Sequence, residues 1–407
     1  MNIIIANDYA AVNGGAAQVA VVSARALADS GHNVYYVFAS GDAAKALEHK
    51  NIKLINFEQF DLLNNPSRMS AAIIGIWNND IAAKAKKFLK QFSATDTIIH
   101  IHGWVKSLST SFLHVVLESK LPHVITLHDY FSACPNGGFY NYKSREICKL
   151  TAMSRSCLGS NCDVRSYSQK LWRFTRQVIT AQIGVPKKIS NFIYVSNFSR
   201  DILSPYFSNH SKLWNVPNPI DVEKLEPASP EHSEYFTYVG RLSAEKGVEL
   251  FAHASSIIKA KARFVGSGEL EEHLKSVNSD AEFTGWSNRE SVTKHIRNSR
   301  AVVVPSLLYE TQGMVVAETA AVGVPCIVAD TCAGRDFVDD GVTGLWFKGG
   351  DVYSLNEAIK KLRDNKELAQ EMGKNAYTKY WNNPPTIDAH LEALIACYQS
   401  IIIADKN

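Results

Sequence analysis

The chain has 407 residues, 46% of them hydrophobic and 20% charged, which fits a globular protein of two or three domains and excludes a disordered or collagen-like chain. Lys and Arg number 43 against 40 Asp and Glu, so a net charge of +3 makes no case for nucleic acid as a partner. The seven Cys, an odd number, and the lack of an N-terminal export signal point to a reducing cytoplasm.

Met1-Asn2-Ile3-Ile4-Ile5-Ala6 reads as a first buried strand, not as a signal peptide. No apolar run approaches the roughly 18–20 residues that cross a bilayer. Short β-branched runs then alternate with longer amphipathic stretches. The pattern predicts strands at 2–7, 33–39, 53–57, 97–102, 123–128 and 191–196, and helices at 16–30, 68–92 and 107–119. Such alternation argues for a parallel sheet covered on both faces. Asn13-Gly14-Gly15-Ala16 lies between the first strand and the first helix. Paired glycines there suit a tight turn or a backbone that approaches an anion. The dinucleotide fingerprint GxGxxG is absent, which argues against a nicotinamide or flavin dehydrogenase.

From Lys143 to Lys188 there are ten Lys or Arg and two acids, with Tyr140, Tyr142, Tyr167, Trp172 and Phe174 around and among them. A solvated helical face fits that pattern, and so does a surface for an anionic membrane or a lipid-diphosphate acceptor. Cys134, Cys148, Cys157 and Cys162 lie within 29 residues of the same region, without a CxxC pair. A structural zinc, free thiols, and disulfides or an iron–sulfur site all stay open for them.

Pro217 and Pro219 then mark a linker. Beyond it the rhythm restarts, with strands predicted at 235–240, 262–266, 281–285, 301–305, 325–330 and 344–347. Helices are predicted at 245–259, 269–276, 289–298, 313–322, 352–364, 366–379 and 387–404. The expected organisation is a first α/β domain over 1–210, carrying the basic Cys-containing insert 131–188, and a second over 211–383. A last segment, 384–407, is expected to pack back towards the first domain. Ligands of open parallel sheets bind outside the carboxyl ends of the strands, so two facing sheets place a cleft between the domains.

Two phrases of the second half carry chemistry. In Tyr238-Val239-Gly240-Arg241-Leu242-Ser243-Ala244-Glu245-Lys246-Gly247 a strand turns at Gly240, and two cations follow its carboxyl end. Arg241 and Lys246 are placed to neutralise a diphosphate, although surface cations beside a turn look the same. In the stretch from Pro305 to Pro325 a loop carries Glu310, and a helix begins near Gly313 with Glu318 on it. Backbone N–H groups at Gly313, Met314 and Val315 can meet an anion or sugar hydroxyls. The two carboxylates suit sugar and ribose hydroxyls; a turn residue and a surface helix residue are the plainer reading.

Together these phrases resemble the retaining glycosyltransferases of family four (glycosyl transferases group 1), whose signature is two glutamates separated by seven residues. The likeness runs from Gly14-Gly15-Ala16 through His102, His128 and Asn218-Pro219-Ile220-Asp221 to Glu310 and Glu318. It implies the GT-B fold, with two facing Rossmann-like domains, parallel sheets and a cleft between them. It implies transfer of a hexose, with retention, from a UDP- or GDP-hexose to a glycan or a polyprenyl-diphosphate-linked acceptor. Bacterial surface polysaccharide assembly (O-antigen, capsule or exopolysaccharide) is the implied setting, in the cytoplasm or peripherally at the inner face of the membrane. No cofactor is implied for catalysis.

By the same resemblance Arg241 and Lys246 hold the donor diphosphate, Glu310 touches the donor sugar, and Glu318 binds the ribose. His128 contacts the transferred sugar. Gly14, Gly15 and Gly240 belong to the donor side, His102 and Asp129 to the acceptor side. Many members carry Pro-Phe-Gly where this chain has Thr311-Gln312-Gly313, a change at the donor-sugar contact. A nucleotide-sugar epimerase on the same architecture and an inactive sugar-binding scaffold are the alternatives.

Overall fold

The computed structural model describes residues 1–404. Its first half forms β1 (Asn2–Ala6), β2 (Asn33–Phe38), β3 (Ile52–Asn56), β4 (Thr97–Ile101) and β5 (His123–Thr126). A hairpin of β6 (Tyr140–Asn141) and β7 (Glu146–Ile147) interrupts the series before β8 (Asn191–Tyr194) and β9 (Lys212–Asn215). All strands but the hairpin pair in parallel, in the order β3-β2-β1-β4-β5-β8-β9. The second half forms β10 (Tyr235–Val239), β11 (Lys261–Val265), β12 (Glu282–Gly285), β13 (Ala301–Val304), β14 (Cys326–Ala329) and β15 (Gly344–Phe347). These also run parallel, in the order β12-β11-β10-β13-β14-β15.

Helices cover both faces of each sheet, which is why the central strands read as unbroken apolar runs. Ile3, Ile4 and Ile5 of β1 are fully buried, as are Val302, Val303, Ile327 and Val328 in the second sheet. In each sheet the strand order reverses beside one strand: β1 lies between β2 and β4, and β10 between β11 and β13. The loops that leave those strands diverge and open a crevice there.

Two expectations are corrected. The first sheet includes β9, which pairs with β8, so the first domain runs past the expected boundary at 210. The single helix expected over 68–92 is two helices, Arg68–Ile74 and Asn79–Leu89. Asn78 causes the break, because its side chain accepts from the amides of Asp80 and Ile81 and starts a new helix. Gly75 permits the close approach there, since a Cβ on it would lie 2.4 Å from Leu62 and 2.8 Å from Trp172. The basic insert holds the long helix Tyr167–Ile183, capped by Ser166.

The closing helix Ile387–Ala404 packs on the first domain; residues 405–407 lie outside the described residues. It is long and apolar enough to cross a membrane by length and composition. Here it buries Leu394, Cys397, Tyr398 and Ile401 with β1, β2 and the helix Gly15–Asp29. His390 meets the Ser23 hydroxyl at 2.8 Å, and Tyr398 meets His100 Nδ1 at 2.5 Å.

Gly247 joins the turn after β10 to the helix Val248–Ile257 in a left-handed conformation, φ +69°. A Cβ there would stand 1.9 Å from the Pro305 carbonyl oxygen, so backbone must move to admit one. Gly247→Ala is expected to cost about 1–3 kcal/mol, read as a lower urea midpoint at unchanged slope. An unchanged midpoint would refute this role.

Candidate active site

The carboxyl edges of the two sheets face a cleft of about 440 Å³. From the second domain Gly240, Arg241, Lys246, Glu310, Gly313, Met314 and Val315 line it. From the first come Gly15, His128, Asp129 and Tyr130. Gly14, His102 and Glu318 do not line the cleft, although all three are expected site residues.

Lys246 and Glu310 meet inside the cleft, Nζ to Oε1 at 2.8 Å. Lys246 sits in the turn after β10, and Glu310 in the loop after β13, so the pair bridges the reversal point of the sheet. Burial works against the Glu310 charge, but the Lys246 ammonium and the hydrogen bonds from Lys246 and Ser306 prevail and hold its carboxyl below the usual range. Burial also works against Lys246, and Glu310 more than compensates, so the ammonium titrates higher than usual. Both groups are charged at neutral pH.

Arg241 is 69% exposed yet fixed, donating to Glu245 Oε1 at 2.6 Å. Ser243 donates to the same oxygen at 2.8 Å, and Tyr238 donates its hydroxyl to the Arg241 carbonyl at 2.9 Å. The role of Glu245 was not anticipated, though its i,i+4 spacing from Arg241 was a readable signal. The helix Met314–Ala321 aims its N-terminus at the cleft, with no side-chain cap at Gly313. An uncapped N-terminus beside two cations is a receptor for a negative group. Glu318 sits on that helix behind the cleft lining, where burial raises its carboxyl against the pull of Arg289.

His128 follows β5 and lines the cleft. Burial holds its imidazole down to about 3, with the His390 charge adding to the effect, so it is neutral at physiological pH. Its Nε2 lies 2.8 Å from His102 Nδ1, which makes His102 a partner that orients His128 from behind. His100 is a satisfied core histidine, bonded to Tyr398 and to Thr126 Oγ1 at 2.6 Å.

The loop after β13 also ties the domains together. Thr311 Oγ1 donates to the His128 carbonyl at 2.9 Å, and Tyr130 donates to the Glu310 carbonyl at 3.3 Å. Ser196 donates to the Thr311 carbonyl at 2.5 Å. Thr311 therefore touches the first domain where many family members have proline, a contact that the local sequence did not suggest.

The four clustered cysteines are free thiols, as are the other three. Among the described residues, no three His, Cys, Asp or Glu side chains are arranged to hold a metal ion. The buried Lys170 ammonium donates to Cys157 Sγ at 3.2 Å, and Asn136 donates to Cys162 Sγ at 3.1 Å. A fixed cation already stands among the thiols.

Residues 13–224 match the model of Glycosyltransferase Family 4, and residues 220–379 that of Glycosyl transferases group 1. The chain belongs to glycosyltransferase family 4. An uncharacterized glycosyltransferase of Methanocaldococcus jannaschii is 24% identical over 88% of this chain and 89% of its own. An uncharacterized 42.6 kDa protein in the cps region of Klebsiella pneumoniae is 24% identical over 79% of this chain and 83% of its own. In fold, the chain superposes on a sucrose-phosphate synthase of Thermosynechococcus elongatus with a TM-score of 0.73 at 17% identity, covering 99% of each chain. Anabaena HepE in complex with UDP gives a TM-score of 0.66 at 15% identity, over 98% of this chain and 100% of that one. The GT-B fold of this glycosyltransferase is thus shared with enzymes of distant sequence.

Asp129 carries a testable titration. Burial raises its carboxyl to about 6, against the hydrogen bond that it accepts from the Phe131 amide at 2.9 Å. The carboxylate that orders residues 128–131 is therefore lost as pH falls below about 6. The kcat/KM profile of the transferase is expected to show an acid limb near that value, and Asp129→Asn should abolish it. An identical limb in the variant would assign it to another group.

Proposed function

We propose that this glycosyltransferase moves a hexose from a UDP- or GDP-hexose to a glycan or lipid-linked saccharide, with retention of anomeric configuration. The observation that carries this reading is the convergence of Arg241, Lys246 and the uncapped helix N-terminus at one wall of the cleft, with His128 opposite. A donor diphosphate against that wall meets two cations and a helix dipole. The sugar then extends towards Glu310 and His128. As the bond from the anomeric carbon to the diphosphate oxygen breaks, negative charge grows where the cations already stand. The acceptor hydroxyl attacks from the same face and its proton passes to the departing diphosphate. Glu310, engaged by Lys246 and Ser306, orients sugar hydroxyls and forms no covalent bond. His128, neutral, offers a ring nitrogen to the sugar. Ribose binding by Glu318 requires the donor to reach past Met314 and Val315.

Relatives support the donor class and the setting. HepE has been solved with UDP and with UDP-glucose. A GDP-mannose-dependent α-mannosyltransferase of Corynebacterium glutamicum is 33% identical over 30% of this chain. The capsular polysaccharide glycosyltransferase CapM of Staphylococcus aureus is 28% identical over 36%. Assembly of a surface polysaccharide at the cytoplasmic face of a membrane is the reading that joins these.

Arg241→Ala or Lys246→Ala is expected to lower kcat by about 10²–10³ while leaving the acceptor KM less affected. Transfer should persist in excess EDTA, since the chain's own cations supply the neutralising charge. A panel of nucleoside diphosphates should raise the unfolding free energy by about 2.7 kcal/mol for the right base at 100 times its Kd. Near-normal turnover in both variants, or an inverted linkage by NMR of the product, would count against the proposal. Turnover of nucleotide sugar without any acceptor, to an isomer, would favour an epimerase.

A further inference from the structure

A second cavity, of about 410 Å³, opens in the first domain next to the cleft. Its walls come from the loop before the helix Arg68–Ile74, from that helix, from residues after β4, and from the helix Tyr167–Ile183. The segment 128–131 separates the two spaces: Asp129 and Tyr130 line the cleft, whereas Phe131 lines the second cavity. A molecule seated in the second cavity could therefore present its far end to the cleft.

The charge of this cavity is one-sided. Arg68, Lys106, Arg165, Arg173 and Arg176 line it, against one carboxylate, Asp61. That carboxylate is already committed, accepting from the amides of Leu63 and Asn64 at 2.7 and 2.8 Å and from the Asn64 side chain at 2.8 Å. Of the cations, Arg173 pairs with Asp163 at 3.0 Å. Arg176 is the anomaly. It is only 6% exposed, yet no carboxylate lies within ion-pair distance of it among the described residues. Its guanidinium makes one hydrogen bond, to the Val105 carbonyl at 3.3 Å, and otherwise lies over the rings of Phe131 and Trp172 at 5.4 and 5.2 Å. A guanidinium has five N–H donors, and a buried charge without a close ion-pair partner is costly. Burial lowers it to about 10, with Arg173 adding to the effect and the more distant Asp8 and Asp129 carboxylates opposing it.

Much of the remaining lining is apolar. Leu62, Leu63, Ala71, Ala72, Val105 and Trp172 supply it, and Leu63 at its edge is 64% exposed. Apolar side chains next to a cationic recess call for an amphiphilic ligand, charged at one end.

Building on the transferase reading, we propose that this cavity receives the phosphate or diphosphate ester of a lipid-linked acceptor. Arg176 lies at the base of the site, Arg68 and Arg165 grip from the rim, and the hydrocarbon lies across Leu62, Leu63, Ala71 and Ala72. The saccharide end then reaches past Phe131 to the cleft. In this arrangement the basic run of the insert selects acceptors by their anionic anchor.

The test uses the full chain and three probes: farnesyl diphosphate, farnesol and inorganic pyrophosphate, titrated by calorimetry. Farnesyl diphosphate should bind tightest, and a saturating nucleoside diphosphate should not displace it. Arg176→Gln should weaken it about 10-fold or more, with Arg176→Lys partly restoring it. Should Arg176→Gln fail to fold, the exposed pair Arg68→Ser and Arg165→Ser decides the matter by a several-fold loss. Nucleoside diphosphate binding should be unchanged in every variant.

Displacement by the nucleotide, or equal affinity in the variants, overturns the proposal. Farnesol binding as well as the diphosphate overturns the charged site, and pyrophosphate binding as well overturns the lipid anchor. Failure of the transferase reading looks different: no nucleoside diphosphate binds, while farnesyl diphosphate still depends on Arg176.

Discussion

The ion pair between Lys246 and Glu310 is the contact on which the cleft depends. It joins the loops leaving β10 and β13, the two strands between which the second sheet reverses direction. Removing two charges from water is justified only when each keeps a close partner. Here the ammonium, the carboxylate and the Ser306 hydroxyl provide that closure. Backbone packing enforces it, because Gly247 lets the first loop press against Pro305 at the start of the second. The same second loop then continues through Thr311 to the first domain. One stretch of about ten residues thus carries Glu310, leads into the helix Met314–Ala321 and forms the junction between the domains.

The first domain answers with a row of neutral imidazoles beside the Asp129 carboxyl. His100, His102 and His128 stack in sequence, with ring centroids 4.0 and 5.1 Å apart, from the closing helix to the cleft. Burial keeps all three rings well below their usual titration range. A neutral, oriented imidazole adds a hydrogen-bonding group without adding charge that would compete with the donor's diphosphate. The cleft thus carries Arg241 and Lys246 on one wall and the neutral His128 beside Asp129 on the other.

Much of this was legible in the sequence because the chemistry sits where local pattern changes. Gly240, Arg241, Lys246 and Glu310 are marked residues at the ends of apolar runs, and strand ends are where α/β ligands bind. What stayed hidden depends on contacts between distant segments. β9 has only four residues and no apolar alternation, so its place beside β8 comes from pairing alone. Arg176 lies in a run of cations that reads as a wet surface; only packing against Phe131 and Trp172 puts it inside. The hydrogen bond from Lys170 to Cys157 Sγ was equally hidden, since Lys170 reads as a lysine like several others nearby. The split at Asn78 was available as a capping signal, but the apolar periodicity on either side masked it.

The return of the closing helix has a mechanical consequence. The chain passes between the lobes twice, near Pro217–Asp221 and again near Pro384–Ile387, and the two passages touch. The Ile220 amide donates to the Pro385 carbonyl at 2.8 Å, and His390 meets the Pro217 carbonyl at 2.8 Å. A body held by two adjacent pivots swings about the line through them and resists twisting across it. The two crossings thereby set one line along which the half bearing Arg241 and Lys246 is joined to the half bearing His128.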